Sequence, residues 1–468
     1  MDTPTVLTTL QNLLVMRIHF IAIGGSTMHN LAIALHKQGH QVTGSDDEIF
    51  EPSKGRLIEY GLLPAKTGWD ENNIHSDLDA VILGMHAKKD NPELIKAEKL
   101  NLTVYSFPEY LYEHAKNKKR IVIGGSHGKT TITAMILHAL NFHQINVDYM
   151  VGAQLDGFEV MVQLSEKAKI MVFEGDEYLT SPKDPRPKFH VYKPHVALLS
   201  GISWDHFNVF PTFEKYVDQF RVFVDLLPDD GSLVYYSGDG VIHKIVNEYS
   251  GKANMIPYFT CDSYIKNGKT IIQYNGKEYP MEIFGDHNMK NMQGAMFICR
   301  EIGLSPDEFY EAMSRFKGAS NRLEKIAENK HTKIFKDFAH SPSKVKATSE
   351  AVKYQFAEQN LVAVLELHTY SSLNKEFLSQ YKGTLNAVDI PVVFFNEHAI
   401  KLKRLPMLQK QHIYDAFDNA NIKVFNQREA LEAYLKSLNW QNKNLLLMSS
   451  GNFDGMNKDN LSKAILKS

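Results

Sequence analysis

Cysteine is nearly missing from this chain of 468 residues, which has only Cys261 and Cys299. Two thiols build neither a disulfide framework nor a cysteine zinc site, and a cytoplasmic location fits them. No apolar run approaches the roughly 20 residues of a membrane span, so no membrane partner is expected. The first fifteen residues lack a basic start and a long apolar centre, which argues against a secretory signal. Met16-Arg17-Ile18-His19-Phe20 reads as the natural opening of a first strand, with residues 1–15 a frayed tail or the product of an upstream start codon. Charge of one sign is scarce too. The net of −2 gives no reason to expect nucleic acid or an anionic membrane as a partner. Internal repeats and low-complexity segments are also missing.

What remains is ordinary globular material, 43% hydrophobic and 23% charged. The length suggests roughly three domains of about 150 residues. Strand-like and helix-like segments alternate, which argues for α/β domains with mainly parallel sheets. Ile18 to Ile23 reads as a buried strand, Met28 to Gln38 as a helix and Gln41 to Gly44 as the next strand. Ala80 to Leu83 and Thr103 to Tyr105 continue that sheet. The basic stretch Lys116-Asn117-Lys118-Lys119-Arg120 is a solvated linker and a first boundary. A second boundary falls near Phe316 to Leu323, where Gly318, Ser320 and Asn321 interrupt the pattern. The expected domains are 1–116, 117–318 and 319–468.

The strongest local signal runs from Gly124 to Thr131, Gly-Gly-Ser-His-Gly-Lys-Thr-Thr, straight after Ile121-Val122-Ile123. A β-branched run, a glycine loop and the apolar Ile132 to Leu137 read as strand, tight turn and helix. Such glycines let backbone N–H groups of Gly125, Ser126, His127 and Gly128 close around phosphate oxygens at a helix N-terminus. Lys129 can reach the outer phosphates, and the Thr130 hydroxyl, followed by Thr131, can bind the Mg²⁺ that travels with them. A nucleoside triphosphate is the expected ligand. The general pattern G-x-x-x-x-G-K-[ST] would need glycine at 123, where Ile123 stands, so this loop is shorter.

Other clusters are weaker taken singly. Ala22-Ile23-Gly24-Gly25-Ser26-Thr27-Met28 is a poor dinucleotide fingerprint, with one glycine of three in frame. Gly24 and Gly25 before a helix could still admit a diphosphate, with Asp46 at the end of the next strand for a ribose or base; a plain strand–turn–helix with no ligand is the alternative. Glu174-Gly175-Asp176-Glu177 ends the strand Ile170 to Phe173, where carboxylates meet a metal in open α/β sheets. A solvated acidic turn is the alternative there. His206, after the strand Val196 to Leu199, is a second candidate ligand or a structural histidine. Asn288 and Asn291 share a helical face, and their amides suit the edge of an adenine ring; they could also simply cap the helix. Tyr279 to Phe284 fits the strand leading in.

Together these segments resemble the Mur ligases. Gly125 to Thr130 is similar to that family's G-[TS]-x-G-K-[TS], and residues 22–28 with Ser45-Asp46 resemble the signatures that hold the UDP of the sugar substrate. Glu174 to Glu177 and Asp205-His206 look like its metal motifs E-A-D-E and D-H, with Gly175 for alanine. Gly285 to Asn291 resembles G-x-H-N-x-x-N, and Asn321-Arg322-Leu323-Glu324 resembles R-R-x-E, with Asn321 for the first arginine. Asp337 to Pro342 looks like D-[YF]-[AG]-H-[HS]-P, preceded by Lys336 where relatives often carry aspartate. The resemblance covers nearly all of residues 17–455. It implies a Rossmann-like N-terminal domain, a central P-loop ATPase-like domain and a C-terminal Rossmann-like α/β domain.

It also implies ATP and Mg²⁺ as cofactors, with UDP-N-acetylmuramate and a peptide or amino acid as small-molecule substrates. Thr130, Glu174 and His206 would hold the metal, and Lys129, His206 and Arg322 would serve catalysis. Asn288, Asn291, Arg322 and Asp337 would complete the ATP site, with Asp337 on the ribose. Gly24, Gly25, Ser26, Met28, Asp46, His340 and His368 would contact substrates. Monomer and homo-oligomer both stay open.

Two branches of the family compete. One adds a single L-alanine to UDP-N-acetylmuramate; the other adds the tripeptide L-Ala–γ-D-Glu–meso-diaminopimelate. Glu177-Tyr178, Asp205 to Phe210 and Leu447 to Gly455 favour the tripeptide branch. Leu365 to Ser372 lacks that branch's E-P-R-S-N-T and resembles the alanine branch's P-H-R-[YF]-T-R without its arginines. Neither branch relies on a carbamylated lysine, and Arg221 occupies that neighbourhood. Departures at Gly175, Asn321 and Lys336 leave a non-catalytic nucleotide-binding relative as the alternative. A P-loop kinase or switch explains 124–131 but not 285–291.

Overall fold

The computed structural model of the chain describes residues 15–152, 158–204, 209–319 and 322–467. The expected α/β architecture with mostly parallel sheets is observed. The chain forms two compact units, one of Met1–Lys129, Asn146–Tyr235 and Asp239–Ile256, the other of Thr130–Ile145, Tyr236–Gly238 and Pro257–Ser468.

The first unit opens with a four-stranded parallel sheet of β1 (Arg17–Ile21), β2 (Gln41–Ser45), β3 (Ala80–Leu83) and β4 (Val104–Ser106), in the order β2-β1-β3-β4. Its seven-stranded sheet comprises β5 (Lys119–Gly124), β6 (Asp148–Met150), β7 (Val162–Gln163), β8 (Ile170–Glu174), β9 (Val196–Leu199), β10 (Ser232–Tyr236) and β11 (Asn254–Tyr258). Their order is β11-β10-β9-β5-β8-β6-β7, with the pairs from β10 through β6 parallel and the β6–β7 pair antiparallel. Ile121, Val122 and Ile123 are fully buried, as expected of a central parallel strand covered on both faces. In each sheet the order reverses around one strand, β1 in the first and β5 in the second. The carboxyl end of such a strand is where open α/β sheets receive ligands.

The second unit holds a three-stranded antiparallel sheet, β12 (Ser263–Lys266), β13 (Lys269–Tyr274) and β14 (Lys277–Met281). Here the expected strand Tyr279 to Phe284 is displaced: it starts at Lys277 and stops at Met281. Pro280 is tolerated because β14 is an edge strand. Two Asn-Gly turns link the hairpins, with Asn267, Gly268, Asn275 and Gly276 all at positive φ, the geometry of type I′ turns. A six-stranded sheet follows, of β15 (Glu324–Glu328), β16 (Lys333–Asp337), β17 (Asn360–Leu367), β18 (Ile390–Phe395), β19 (Lys423–Phe425) and β20 (Lys443–Met448). Its order is β15-β16-β20-β17-β18-β19, with only the β15–β16 pair antiparallel. No helix among the described residues is long and apolar enough to cross a membrane.

Candidate active site

In the first unit the loop after β5 has the shape its glycines require. Gly125 and Gly128 sit at φ 120° and 83°, where a side chain is strained. A Cβ on Gly125 would also stand 2.4 Å from Ser200 Oγ. Ser126 N–H donates to Gly201 O at 2.8 Å, and the Ser200 hydroxyl donates to His127 O. A helix begins at Lys129 and runs to Phe142, so Thr130 and Thr131 occupy its first turn.

Lys129 Nζ folds back onto its own loop, donating to Gly125 O at 2.8 Å and to Glu177 Oε2 at 2.7 Å. Glu177 is 1% exposed. Burial by itself pulls the ammonium's pKa down, but Glu177, Asp176 and Glu174 together raise it above the usual lysine value. This lysine is therefore a full positive charge at the mouth of a backbone nest. Tyr216 completes the arrangement, which sequence reading missed: its hydroxyl donates to Glu177 Oε1 at 2.9 Å and lies 3.0 Å from Ser126 Oγ. Tyr216 lies 39 residues from Glu177, on an amphipathic helix whose pattern reads only as core.

Glu174 ends β8, buried, and accepts Gly152 N–H at 2.6 Å. Gly175, where the family motif has alanine, leaves little room: a Cβ there would meet Val122 Cγ1 at 2.9 Å and Ile123 O at 3.0 Å. Asp176 pairs with Lys188 at 2.6 Å. Of the donors expected for a metal, the Thr130 hydroxyl and Glu174 carboxylate are hard oxygens of the kind Mg²⁺ requires. His206 lies outside the described residues, as do Asp205, Phe207, Asn208, Ser320 and Asn321. Among the described residues no group of three or more His, Cys, Asp or Glu is placed to hold a metal ion.

After β1, Gly24 meets Asp46 from the end of β2, and Gly25 leads into the helix that carries Ser26 and Met28. Gly24 N–H donates to Asp46 Oδ2 at 2.7 Å, and a Cβ on Gly24 would stand 2.9 Å from that oxygen. Gly25 precedes the helix Ser26–Lys37 with no side-chain cap, which leaves its first N–H groups available to an anion. Met28 is buried and Ser26 exposed. Burial raises the Asp46 carboxyl above its usual range, against the Gly24 N–H and with help from Asp47. His29 Nδ1 lies 2.9 Å from Gly25 O.

In the second unit Asn288 and Asn291 are buried on the helix Asp286–Ile302. Asn288 spends one amide donor on Phe284 O at 2.9 Å. Burial, with the Lys290 charge, lowers His287 to about 4 and keeps it neutral. Arg322 stacks its guanidinium 4.8 Å over the Phe338 ring. Asp337, at the end of β16, accepts N–H from Leu323 and Ala339, each at 2.5 Å. Burial raises its carboxyl to about 6 despite those bonds and the Arg322 charge. Lys336, the departure beside it, pairs with Glu324 at 3.1 Å.

His340 Nδ1 lies 2.8 Å from Phe338 O. His368 follows β17, 3.8 Å from Glu366. Glu366, a second residue the sequence did not single out, is buried, accepts Phe453 N–H at 2.8 Å and the Ser449 hydroxyl, and so ties β17 to the loop after β20. Beyond the ends of β18 and β19 a cavity of about 380 Å³ is lined by Asn396, Glu397, His398, Asn426, Arg428 and Asp454 among others.

Two glycine loops at sheet switch points, one carrying a lysine, are the pattern of a nucleotide-dependent α/β enzyme. The Mur ligase family catalytic domain matches residues 17–119, and the Mur ligase middle domain matches residues 123–299. The UDP-N-acetylmuramate--L-alanine ligase of Caldicellulosiruptor bescii is 30% identical over 414 residues, which cover 84% of this chain and 87% of that protein. The corresponding ligase of Caldicellulosiruptor saccharolyticus is 29% identical over 89% of this chain and 91% of its own. The chain belongs to the Mur ligase family. It is an ATP-dependent ligase of the peptidoglycan pathway that forms a C–N bond between small-molecule substrates.

Among solved structures, a murein peptide ligase from Psychrobacter arcticus superposes with TM-score 0.61 at 22% identity, over 97% of this chain and 99% of that one. A UDP-N-acetylmuramate-alanine ligase from Thermotoga maritima gives TM-score 0.69 at 19% identity, over 97% and 98%. At these identities the structures speak for the fold alone.

Proposed function

We propose that this ligase joins UDP-N-acetylmuramate to the tripeptide L-Ala–γ-D-Glu–meso-diaminopimelate. The observation that carries this reading is the cavity beyond β18 and β19. It is an open, mainly polar depression of about 380 Å³, more room than the methyl group of alanine fills. Its walls offer both signs of charge: Arg428, which pairs with Glu429 at 2.7 Å and donates to the Asp454 main-chain oxygen at 3.0 Å, lies among Glu397, Glu429 and Asp454. That combination suits the zwitterionic end of diaminopimelate, whose carboxylate takes the guanidinium and whose ammonium takes the acids. The second reading, L-alanine as acceptor, is favoured by the 30% identity to an alanine ligase.

The chemistry follows from charge. A carboxylate is a poor acyl donor, so a lactyl carboxylate oxygen attacks the γ-phosphorus of ATP, the bridging P–O bond breaks and ADP leaves. The α-amine of the acceptor then attacks the acyl carbon, phosphate departs and the amine loses a proton. Gly125, His127 and Gly128 cradle the phosphates through backbone N–H groups, that of Ser126 being spent on Gly201 O; Lys129 and Arg322 offset the charge on the transferring group, and Asp337 holds the ribose. Thr130, Glu174 and His206 would hold Mg²⁺, which when bound neutralises phosphate charge. Gly24, Gly25 and Asp46 take the UDP end.

Phosphate release from ATP with UDP-N-acetylmuramate present, comparing tripeptide and L-alanine as acceptors, tests the reading. Preference for the tripeptide by about tenfold or more in kcat/KM supports it. Preference for L-alanine replaces it with the second reading, and release needing no acceptor refutes both.

A further inference from the structure

The Lys129 side chain is held inside the first unit by a chain of four buried or half-buried groups. Lys129 Nζ sits 2.7 Å from Glu177 Oε2. The other oxygen of that carboxylate, Oε1, accepts the Tyr216 hydroxyl at 2.9 Å. Tyr216 in turn lies 3.0 Å from Ser126 Oγ, which accepts Ser203 N–H at 2.8 Å. Ser126 and Lys129 belong to the phosphate loop; Glu177 and Tyr216 do not. Tyr216 is fully buried, its ring packed against Phe210 and Phe220.

Consider what a triphosphate asks of this network. Phosphate oxygens and Glu177 compete for the same ammonium, and a buried carboxylate is a strong competitor because little water screens it. A carboxylate with a second hydrogen-bond donor spreads its charge and holds the ammonium less tightly. The Tyr216 hydroxyl is such a donor, and it also ties the carboxylate to the loop that receives the phosphates.

We infer that Tyr216 is a positioning residue that sets how readily Glu177 releases Lys129 to the triphosphate. The inference rests on the proposed phosphate role of residues 125–130. It assigns Glu177 the part of an internal stand-in for phosphate, seated on the lysine until nucleotide arrives.

Opposite signs test it. Tyr216→Phe keeps the ring and removes only the hydroxyl, so the dissociation constant for ATP, measured by equilibrium dialysis on the full chain, should rise about tenfold. Glu177→Gln removes the competing charge and should lower that constant. In the Glu177→Gln background, adding Tyr216→Phe should change it less than about twofold. KM for UDP-N-acetylmuramate should stay within about twofold in Tyr216→Phe. A purely structural role predicts weaker ATP binding in both single variants, and that result overturns the inference, as does an unchanged constant in Tyr216→Phe. If Tyr216→Phe does not fold, Glu177→Gln decides alone: tighter ATP binding supports the inference and equal or weaker binding overturns it. Lys129→Gln separates the two levels. Unimpaired ATP binding in that variant refutes the phosphate-loop reading itself, whereas lost binding there with a null result in Tyr216→Phe refutes only the positioning role.

Discussion

Two glycine pairs of the first unit, Gly24-Gly25 after β1 and Gly124-Gly125 at the end of β5, lie at the carboxyl end of the strand around which each sheet reverses, and each leads into a helix. Their backbones offer the same device, a run of N–H groups at a helix start. Their side chains differ. The first loop is backed by a carboxylate, Asp46 on Gly24 N–H, and has no lysine. The second carries Lys129, paired with buried Glu177. Backbone donors suffice to seat a diphosphate that stays intact. In the proposed reaction a phosphoryl group that moves needs charge matched to the charge it develops, and of these two loops the second carries a cation, Lys129.

The comparison breaks most sharply at Lys129. Lys129→Ala should lower kcat by about 10²–10³ while KM for UDP-N-acetylmuramate changes little; steady-state kinetics with each substrate varied in turn checks this, and near-normal kcat would remove the distinction between the loops. The same substitution leaves Glu177 buried beside Tyr216, so the protein should also melt at a lower temperature. Gly24→Ala is the reciprocal change. Its new Cβ, placed 2.9 Å from Asp46 Oδ2, should raise KM for UDP-N-acetylmuramate about tenfold and leave KM for ATP within about twofold.

The smallest effect uses Asp337 as an outside measure of a half-buried carboxylate on backbone N–H groups. Its folded-state pKa of about 6 stands above the ordinary 3.8, so the folded protein binds the extra proton more tightly. The stability this contributes is fully present below pH 3.8 and lost as pH rises through about 6. Urea unfolding across that window should show a downward slope with pH that flattens in Asp337→Asn.

Much of this was legible because it is local. The strand β5, its glycine loop and the helix from Lys129 are one continuous run of residues, and each step of it has a single physical reading. The boundaries of β14 were not: Tyr279 to Phe284 is apolar enough to continue, yet pairing with β13 stops at Met281. The Asn267-Gly268 and Asn275-Gly276 turns did advertise the antiparallel hairpins, and reading for parallel units passed over them. Glu366 escaped notice because an acid in an apolar strand has no sequence signal for its partner, here the loop after β20.

The sequence by itself determined the glycine loop after β5, the alternating strands and helices, and the order of motifs along the chain, since each depends on neighbours within a few residues. Only the tertiary structure decided which carboxylate faces Lys129, which hydroxyl donates to that carboxylate, and which polar residues line the open depression at Arg428. Those pairings join segments tens of residues apart, and periodicity says which face of a helix is buried without saying what it is buried against.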